Sequence, residues 1–250
     1  MKGRLFWEAT FFIQTTMKKG SLYLIPNGIG SQALEVTTPV TLEVVQHINH
    51  FIVEEIKSAR RFLRAIGYTK DFEEVEFIIL NEHSKSDNLL EYLQPTLSGH
   101  DMGVISEAGV PCVADPGSVV VRQAHELGIR VVPLVGASSI LLTIMASGLN
   151  GQSFAFNGYL PRERPERVKK IKQLEINAVK FGQTQLFMDA PYRNDQVLED
   201  LLIHLSPKTM ICIATDVTTQ GERINTKSAE EWKSSVPKLH KRPVMFAIGS

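Results

Sequence analysis

The sequence predicts an α/β protein built from two successive α/β domains. Three observations carry that expectation. From Ser21 to Gly148, short apolar runs of strand length alternate strictly with stretches of helical period, the signature of parallel strands joined by helices. After Leu149 the texture changes and a second series of helices and strands begins. The segments that leave the strands are punctuated by glycine and proline, as turns at a sheet edge are. The domains expected are 17–160 and 161–250, with residues 1–16 as an extension or loose arm ahead of Met17.

Each element has a local reason. SLYLIP (Ser21 to Pro26) is an apolar run closed by Pro and Gly, hence a buried strand. Thr41 to Ile48 reads as a helix and His50 to Val53 as a strand. SARRFLRAI (Ser58 to Ile66) spaces its apolar residues for one helix face and ends at Gly67. Phe77 to Leu80 is a strand, Asn88 to Leu97 a helix, and Met102 to Ile105 a strand. Pro116 to Leu127 is a helix stopped by Gly128, Ile129 to Val135 a strand, and Ser138 to Ser147 a helix stopped by Gly148. The stretch GQSFAFNGYLPRERPER then reads as a strand running into a basic linker. Beyond it come a helix at Glu166 to Phe181, a strand at Thr184 to Asp189, a helix at Asn194 to Leu205, and strands at Met210 to Thr215 and Val244 to Ile248.

Composition removes several functional classes. With 27 basic and 27 acidic residues the formal charge is zero, so no global field draws the molecule to nucleic acid, and only local patches could. Two cysteines, Cys112 and Cys212, are too few for a disulfide framework or a zinc cluster, and no metal site is expected. No apolar run reaches the length of a membrane span, and the first sixteen residues lack the form of a secretory signal. A cytoplasmic protein without a membrane partner is expected.

In an open parallel sheet, ligands bind beyond the carboxyl ends of the strands. Four loops have that position here: PNGIGS, SEAGVPCVADPG, VGASS and NGYLP. The second holds two acidic turns, at Glu107 and Asp115. Asp115-Pro116-Gly117 has a purely structural explanation, since Asp caps helices and Pro suits their first turn. Ser138 could likewise be a cap. Glu107, directly after a buried strand, is placed either to meet solvent or to hold a ligand group. Cys112, in an apolar run with no neighbouring histidine, reads as a small hydrophobe.

GIGSQA also fits the dinucleotide-binding pattern G-x-G-x-x-A, with Glu54 and Glu55 at a suitable distance for a ribose contact. That motif needs a helix aimed at the pyrophosphate. Thr37-Thr38-Pro39 interrupts within a few residues, which argues against a nicotinamide site.

Taken together, SEAGVPCVADPG, GIRVVPLVGASS, the helix ending SGL and FNGYLP resemble the tetrapyrrole methylase superfamily of class III S-adenosylmethionine-dependent methyltransferases. Within it the chain is most similar to the branch that methylates a cytidine ribose 2′-hydroxyl in small-subunit ribosomal RNA. MDAPYR and PVMFAIG match less closely but in the right order. The resemblance, from about Gly20 to Gly249, implies two α/β domains with the cofactor, S-adenosyl-L-methionine, in a cleft between them, a homodimer, and RNA of the small ribosomal subunit as partner. Carried over by position, Pro26 shapes the first cofactor loop, and Ser106, Glu107, Ala108 and Gly109 lie along the methionine and ribose side. Asp115 and Gly117 shape the next turn, Val135, Ser138 and Ser139 follow, and Met188 and Ala190 close from the second domain.

The chain departs from that branch in three places. PNGIGS stands where the branch reads more like Pro-Thr-Pro-Ile-Gly-Asn, Glu54-Glu55-Ile56-Lys57 replaces an acid-Asp-Thr-Arg segment, and TDVTTQGERIN replaces Arg-Glu-Leu-Thr-Lys. A small-molecule methyltransferase of the tetrapyrrole type and a non-catalytic cofactor-binding paralogue therefore stay open. Asn81, His83 and Glu107, at strand ends, are the candidate catalytic residues, with Asn81 or His83 orienting an acceptor hydroxyl. Two basic clusters, Arg162 to Lys172 and Lys238 to Arg242, could meet phosphates or could be solvated surface.

Overall fold

The computed structural model describes residues 18–30, 33–81 and 89–250, with Ala33 by its backbone only. The extension expected at 1–16 and the candidate His83 lie outside the described residues.

The first domain is a five-stranded, wholly parallel sheet. Its strands are β1 (Ser21–Ile25), β2 (His50–Val53), β3 (Glu76–Ile79), β4 (Met102–Ile105) and β5 (Arg130–Pro133), in the order β3-β2-β4-β1-β5. Between them run α1 (Ala33–Val36), α2 (Pro39–His47), α3 (Ile56–Ala65), α4 (Leu89–Tyr92), α5 (Gln94–Leu97) and α6 (Ser118–Glu126). Thr38 caps α2 by accepting the Thr41 N–H at 3.2 Å, and Pro39 occupies the first turn, where a missing N–H costs nothing. The helix expected over Asn88 to Leu97 is two short ones, because Pro95 cannot donate to a continuing ladder. Leu22, Ile25, Phe51 and Met102 are fully buried, and helices cover both faces of the sheet. Each such side chain contributes about 1.5 to 3 kcal/mol on burial.

The second domain is a mixed sheet, in the order β6-β7-β10-β8-β9, of β6 (Phe154–Tyr159), β7 (Thr184–Met188), β8 (Met210–Thr215), β9 (Arg223–Ser228) and β10 (Val244–Gly249). Only the β6–β7 pair is parallel. On one face lie α8 (Arg164–Phe181), α9 (Asn194–His204) and α10 (Ala229–Lys233), around a core that includes Ile171, Phe187, Val197 and Phe246. On the other lies α7 (Ser139–Ser147), whose Ile144 joins Leu186, Cys212, Ala214 and Ala247. Thus α7 leaves the first sheet and packs on the second. The sheets divide the chain between β5 and β6, ahead of Pro161, because β6 pairs with β7 rather than with any strand of the first domain.

One strand had no sequence signal. Arg223–Ser228 contains a single large apolar residue, Ile224, and forms a sheet edge by pairing with β8 alone. An edge strand has only one neighbour to satisfy, so its apolar pattern is weak.

Candidate functional site

The first sheet sets the position of the site. From β1 the chain crosses to β2 on one side, and from β4 it crosses to β5 on the other. The loops leaving the adjacent strands β1 and β4 therefore diverge and open a crevice at the carboxyl edge, the place where open sheets bind ligands. Asn27 ties those two loops together. Its side-chain amide donates to the carbonyls of Ser106 and Glu107, both at 3.0 Å, and its backbone N–H donates to Gly109 at 2.8 Å. Ser106 donates through Oγ to the Gly109 carbonyl at 2.9 Å.

A cleft of about 360 Å3 lies above this edge, with walls from both domains. Ser106, Glu107, Ala108 and Gly109 form one side, together with Asp115 from the second acidic turn. Ser138 and Ser139 enter at the start of α7, where Ser138 also caps the helix by accepting the Leu141 N–H at 3.4 Å. Met188 closes the cleft from β7, with Phe156 and Tyr159 from β6. Carboxylates, hydroxyls and the open N–H groups of a helix start thus face aromatic and thioether surface. Such a wall suits a ligand that joins a charged, polar part to a flat apolar one.

The two acidic residues serve differently. Both oxygens of Asp115 are engaged inside the loop, accepting the N–H groups of Cys112 at 2.7 Å and Gly117 at 2.8 Å. They hold a backbone in which Cys112 and Ala114 have φ of 69° and 59°, values that cost a non-glycine residue about 1 to 3 kcal/mol. The expected cap on α6 is absent, since Gly117 stands at that position. The Glu107 residue is exposed at the cleft mouth. Burial, aided by the Asp115 charge, pushes the Cys112 thiol up to about 12, so it is no nucleophile at neutral pH.

Several expected residues stand outside the cleft wall. Pro26 packs under it: a Cβ on Gly136 would lie 2.2 Å from the Pro26 Cβ, so this glycine is required for the close approach. Gly117 holds the Asp115 turn from behind. Val135 is 77% exposed and does not line the cleft, and the Ala190 N–H is bound to the Asp189 carboxylate at 2.6 Å in the turn after β7. Asn81 lines a neighbouring open groove with Lys57, Arg60 and Ile79, and that groove shares Glu54 with the cleft. Among the described residues no cluster suited to a metal ion occurs, and no helix is long and apolar enough to cross a membrane.

Tyr159 lies in NGYLP, one of the loops singled out in sequence, but Phe156 was not expected beside it because strict alternation puts the two on opposite faces. A bulge in β6 between them, with Gly158 at φ 64°, turns both toward the cleft. Ile29, also in the wall, could have been found as the lone apolar residue inside the first glycine loop. The helix after that loop, α1, has four residues, too short to aim at a pyrophosphate. TDVTTQG reaches over the same loop: the Thr218 hydroxyl donates to the Ile29 carbonyl, and a Cβ on Gly30 would meet the Thr219 methyl at 2.4 Å.

Two such domains with a shared cleft define a class, and a family model confirms it. Residues 21–232 match the model of the Tetrapyrrole (Corrin/Porphyrin) Methylases, and the chain belongs to that family of methyltransferases. Among curated relatives it is 29% identical over 232 residues to ribosomal RNA small subunit methyltransferase I of Haemophilus influenzae, covering 92% of this chain and 78% of the relative. The protein of the same name from Vibrio cholerae is 31% identical over 204 residues, 81% of this chain and 67% of that one. The crystal structure of the methyltransferase CobJ shares the fold, with a TM-score of 0.63 at 18% identity over 92% of this chain and 94% of that one. A methyltransferase needs a methyl donor, and the cleft between the domains is where this chain brings polar and apolar groups together.

Proposed function

We propose that the chain transfers the methyl group of S-adenosyl-L-methionine to a ribose 2′-hydroxyl of small-subunit ribosomal RNA, acting as a cytoplasmic homodimer. The observation that carries this reading is the two-domain cleft, in which hydroxyls, carboxylates and a helix start face Phe156, Tyr159 and Met188. The names of the relatives support the RNA acceptor. When bound, the donor supplies an activated methyl group for in-line displacement, a reaction governed by positioning.

The residues divide the work accordingly. Ser106, Glu107, Ala108 and Gly109 run along the methionine and ribose side, with Ser138 and Ser139 at the α7 start. Asp115 and Gly117 fix the turn between them, Pro26 and Val135 set the neighbouring backbones, and Met188 and Ala190 close the second-domain side. The Glu107 carboxylate, at the cleft mouth, accepts the acceptor hydroxyl's proton, and Asn81 orients that hydroxyl from the adjoining groove. His83 was expected beside Asn81. The exposed apolar side chains of Val135, Leu141 and Met145, on and before α7, support the homodimer.

Calorimetric titration with S-adenosylhomocysteine tests the cofactor. One site per chain is expected, weakened at least tenfold by Gly109→Val, since Gly109 has φ +67° and valine resists that conformation. No heat over a broad concentration range overturns the donor assignment. Transfer of labelled methyl to purified small ribosomal subunits tests the acceptor, and binding without transfer would identify a non-catalytic paralogue.

A further inference from the structure

The helix α3 carries Lys57, Arg60, Arg61 and Arg64 in ten residues and has no acidic side chain. At these spacings the four cations share one face of the helix. All four are exposed, and none forms an ion pair with a described residue. The clusters that looked stronger in sequence are partly engaged within the fold, although Arg162, Lys169 and Lys172 stay exposed without an ion pair to a described residue. On α8, Arg164 and the buried Arg167 both bind Asp200, at 2.8 and 2.9 Å, and Lys170 donates to Asn157 at 3.2 Å. Arg242 binds Asp216 at 2.7 Å. In a chain of zero net charge, these cations form a local patch along α3, with the carboxylates Glu54 and Glu55 only at the end of the helix nearest the cleft.

That patch borders the cleft. Lys57 and Arg60, near the start of α3, line the open groove of about 590 Å3 that shares Glu54 with the cleft wall. Arg60 is held in place, its guanidinium 5.3 and 5.2 Å from the ring centres of Phe72 and Phe77, and Arg64 lies 4.0 Å over Phe72. Stacking of this kind limits the side chains' freedom while leaving their charge available.

We propose that this stripe is the phosphodiester track of the acceptor RNA: the strand runs along α3, its phosphates against Lys57, Arg60 and Arg61, and enters the cleft past Glu54. The proposal rests on the RNA reading of the adjoining site and assigns the backbone contact to the first domain rather than to α8. Phosphate contacts position a strand without reading its sequence, so register in the cleft comes from this track while the cleft itself selects the ribose.

The test uses the full chain and a fluorescein-labelled single-stranded RNA of mixed sequence, with affinity measured by anisotropy across a salt series. Lys57→Glu/Arg61→Glu is expected to weaken binding at least tenfold and to flatten the slope of log affinity against log salt by about 1.4, two phosphate contacts at about 0.7 each. Lys169→Glu/Lys172→Glu on α8 is expected to change affinity less than twofold. Lys57→Gln/Arg61→Gln gives the same direction if charge reversal disturbs the helix. Binding of S-adenosylhomocysteine to the α3 variants should equal wild type, which separates this proposal from the donor assignment. Wild-type slopes in the α3 variants, an equal loss in the α8 variant, or no salt-dependent RNA binding by wild type overturns the track. Loss of cofactor binding in wild type overturns the donor assignment and leaves the track standing.

Discussion

One loop lines the cleft and another, from the opposite domain, braces its Ile29 wall, and both hold non-glycine residues in left-handed backbone. In the loop after β4 these are Cys112 and Ala114, and in the loop after β8 they are Asp216 and Thr218, at 48° and 73°. The first loop's Cys112–Gly117 turn is held from within, although Asn27 anchors the loop's opening residues. Asp115 accepts two N–H groups from residues no more than three positions away, and the loop presents its backbone to the cleft. The second is held from outside as well as within. Glu222 accepts the Thr218 N–H at 2.8 Å, Arg242 binds Asp216 from the far end of the chain, and Thr218 reaches Ile29 of the other domain. A self-contained turn can keep a site's shape, whereas a turn anchored across the molecule can report how the two domains sit.

The largest break in that comparison is Asp115→Ala. It leaves two N–H groups without acceptors in a strained turn, and a hydrogen bond to a charged group is worth about 1.5 to 3 kcal/mol. A loss of about 3 kcal/mol in urea unfolding is expected, with at least a tenfold loss of S-adenosylhomocysteine affinity. Stability near wild type would show that the loop does not depend on this carboxylate.

Asp216→Ala is expected to cost less, about 1 kcal/mol, because its ion pair with Arg242 is partly exposed, at 22% and 35%. Thr218→Val removes one hydrogen bond, worth about 1 kcal/mol. Its signature is a several-fold weaker S-adenosylhomocysteine affinity in calorimetry, since the lost bond joins the domains at the cleft. An Asp216→Ala variant as damaged as Asp115→Ala would erase the distinction between the loops.

The same contrast explains what could be read from sequence. Local chemistry was legible: the Ser138 cap, the glycine stops at Gly128 and Gly148, strands such as Met102–Ile105, and the SEAGVP and ADPG turns that gave the family. What depends on partners distant in the chain was not. Asp115 is a local exception, since its cap-like sequence serves Cys112 three positions back instead of α6. The basic run on α8 reads equally as a phosphate contact or a solvated face, yet two of its arginines are bound to Asp200, 36 and 33 positions away. TDVTTQGERIN reads as lost similarity, yet it carries the bond between domains and the edge strand β9. Phe156 and Tyr159 needed a bulge that no periodicity announces.

Ala114→Gly sharpens the comparison with a smaller effect. Glycine adopts φ 59° without a Cβ penalty but loses more entropy on folding, so a net gain of about 0.5 kcal/mol is expected in thermal unfolding.

The smallest effect comes from pH, and only the first loop should show it. Folding raises the Cys112 pKa from its ordinary 9.0 to about 12, chiefly through burial and then through the Asp115 charge. The folded state therefore keeps a proton that the unfolded chain releases, so this contribution is complete below about pH 8 and shrinks as pH climbs from 9 toward 12. Cys212 and Tyr68, also raised by burial, add slopes of the same sign elsewhere in the fold. Cys112→Ala isolates the loop's share: between pH 8 and about 10.5 the wild type should lose more stability in urea unfolding than the variant. Identical slopes would mean that the thiol is no harder to ionise in the folded turn than in the open chain, and that Asp115 shapes the loop without charging its neighbour's surroundings.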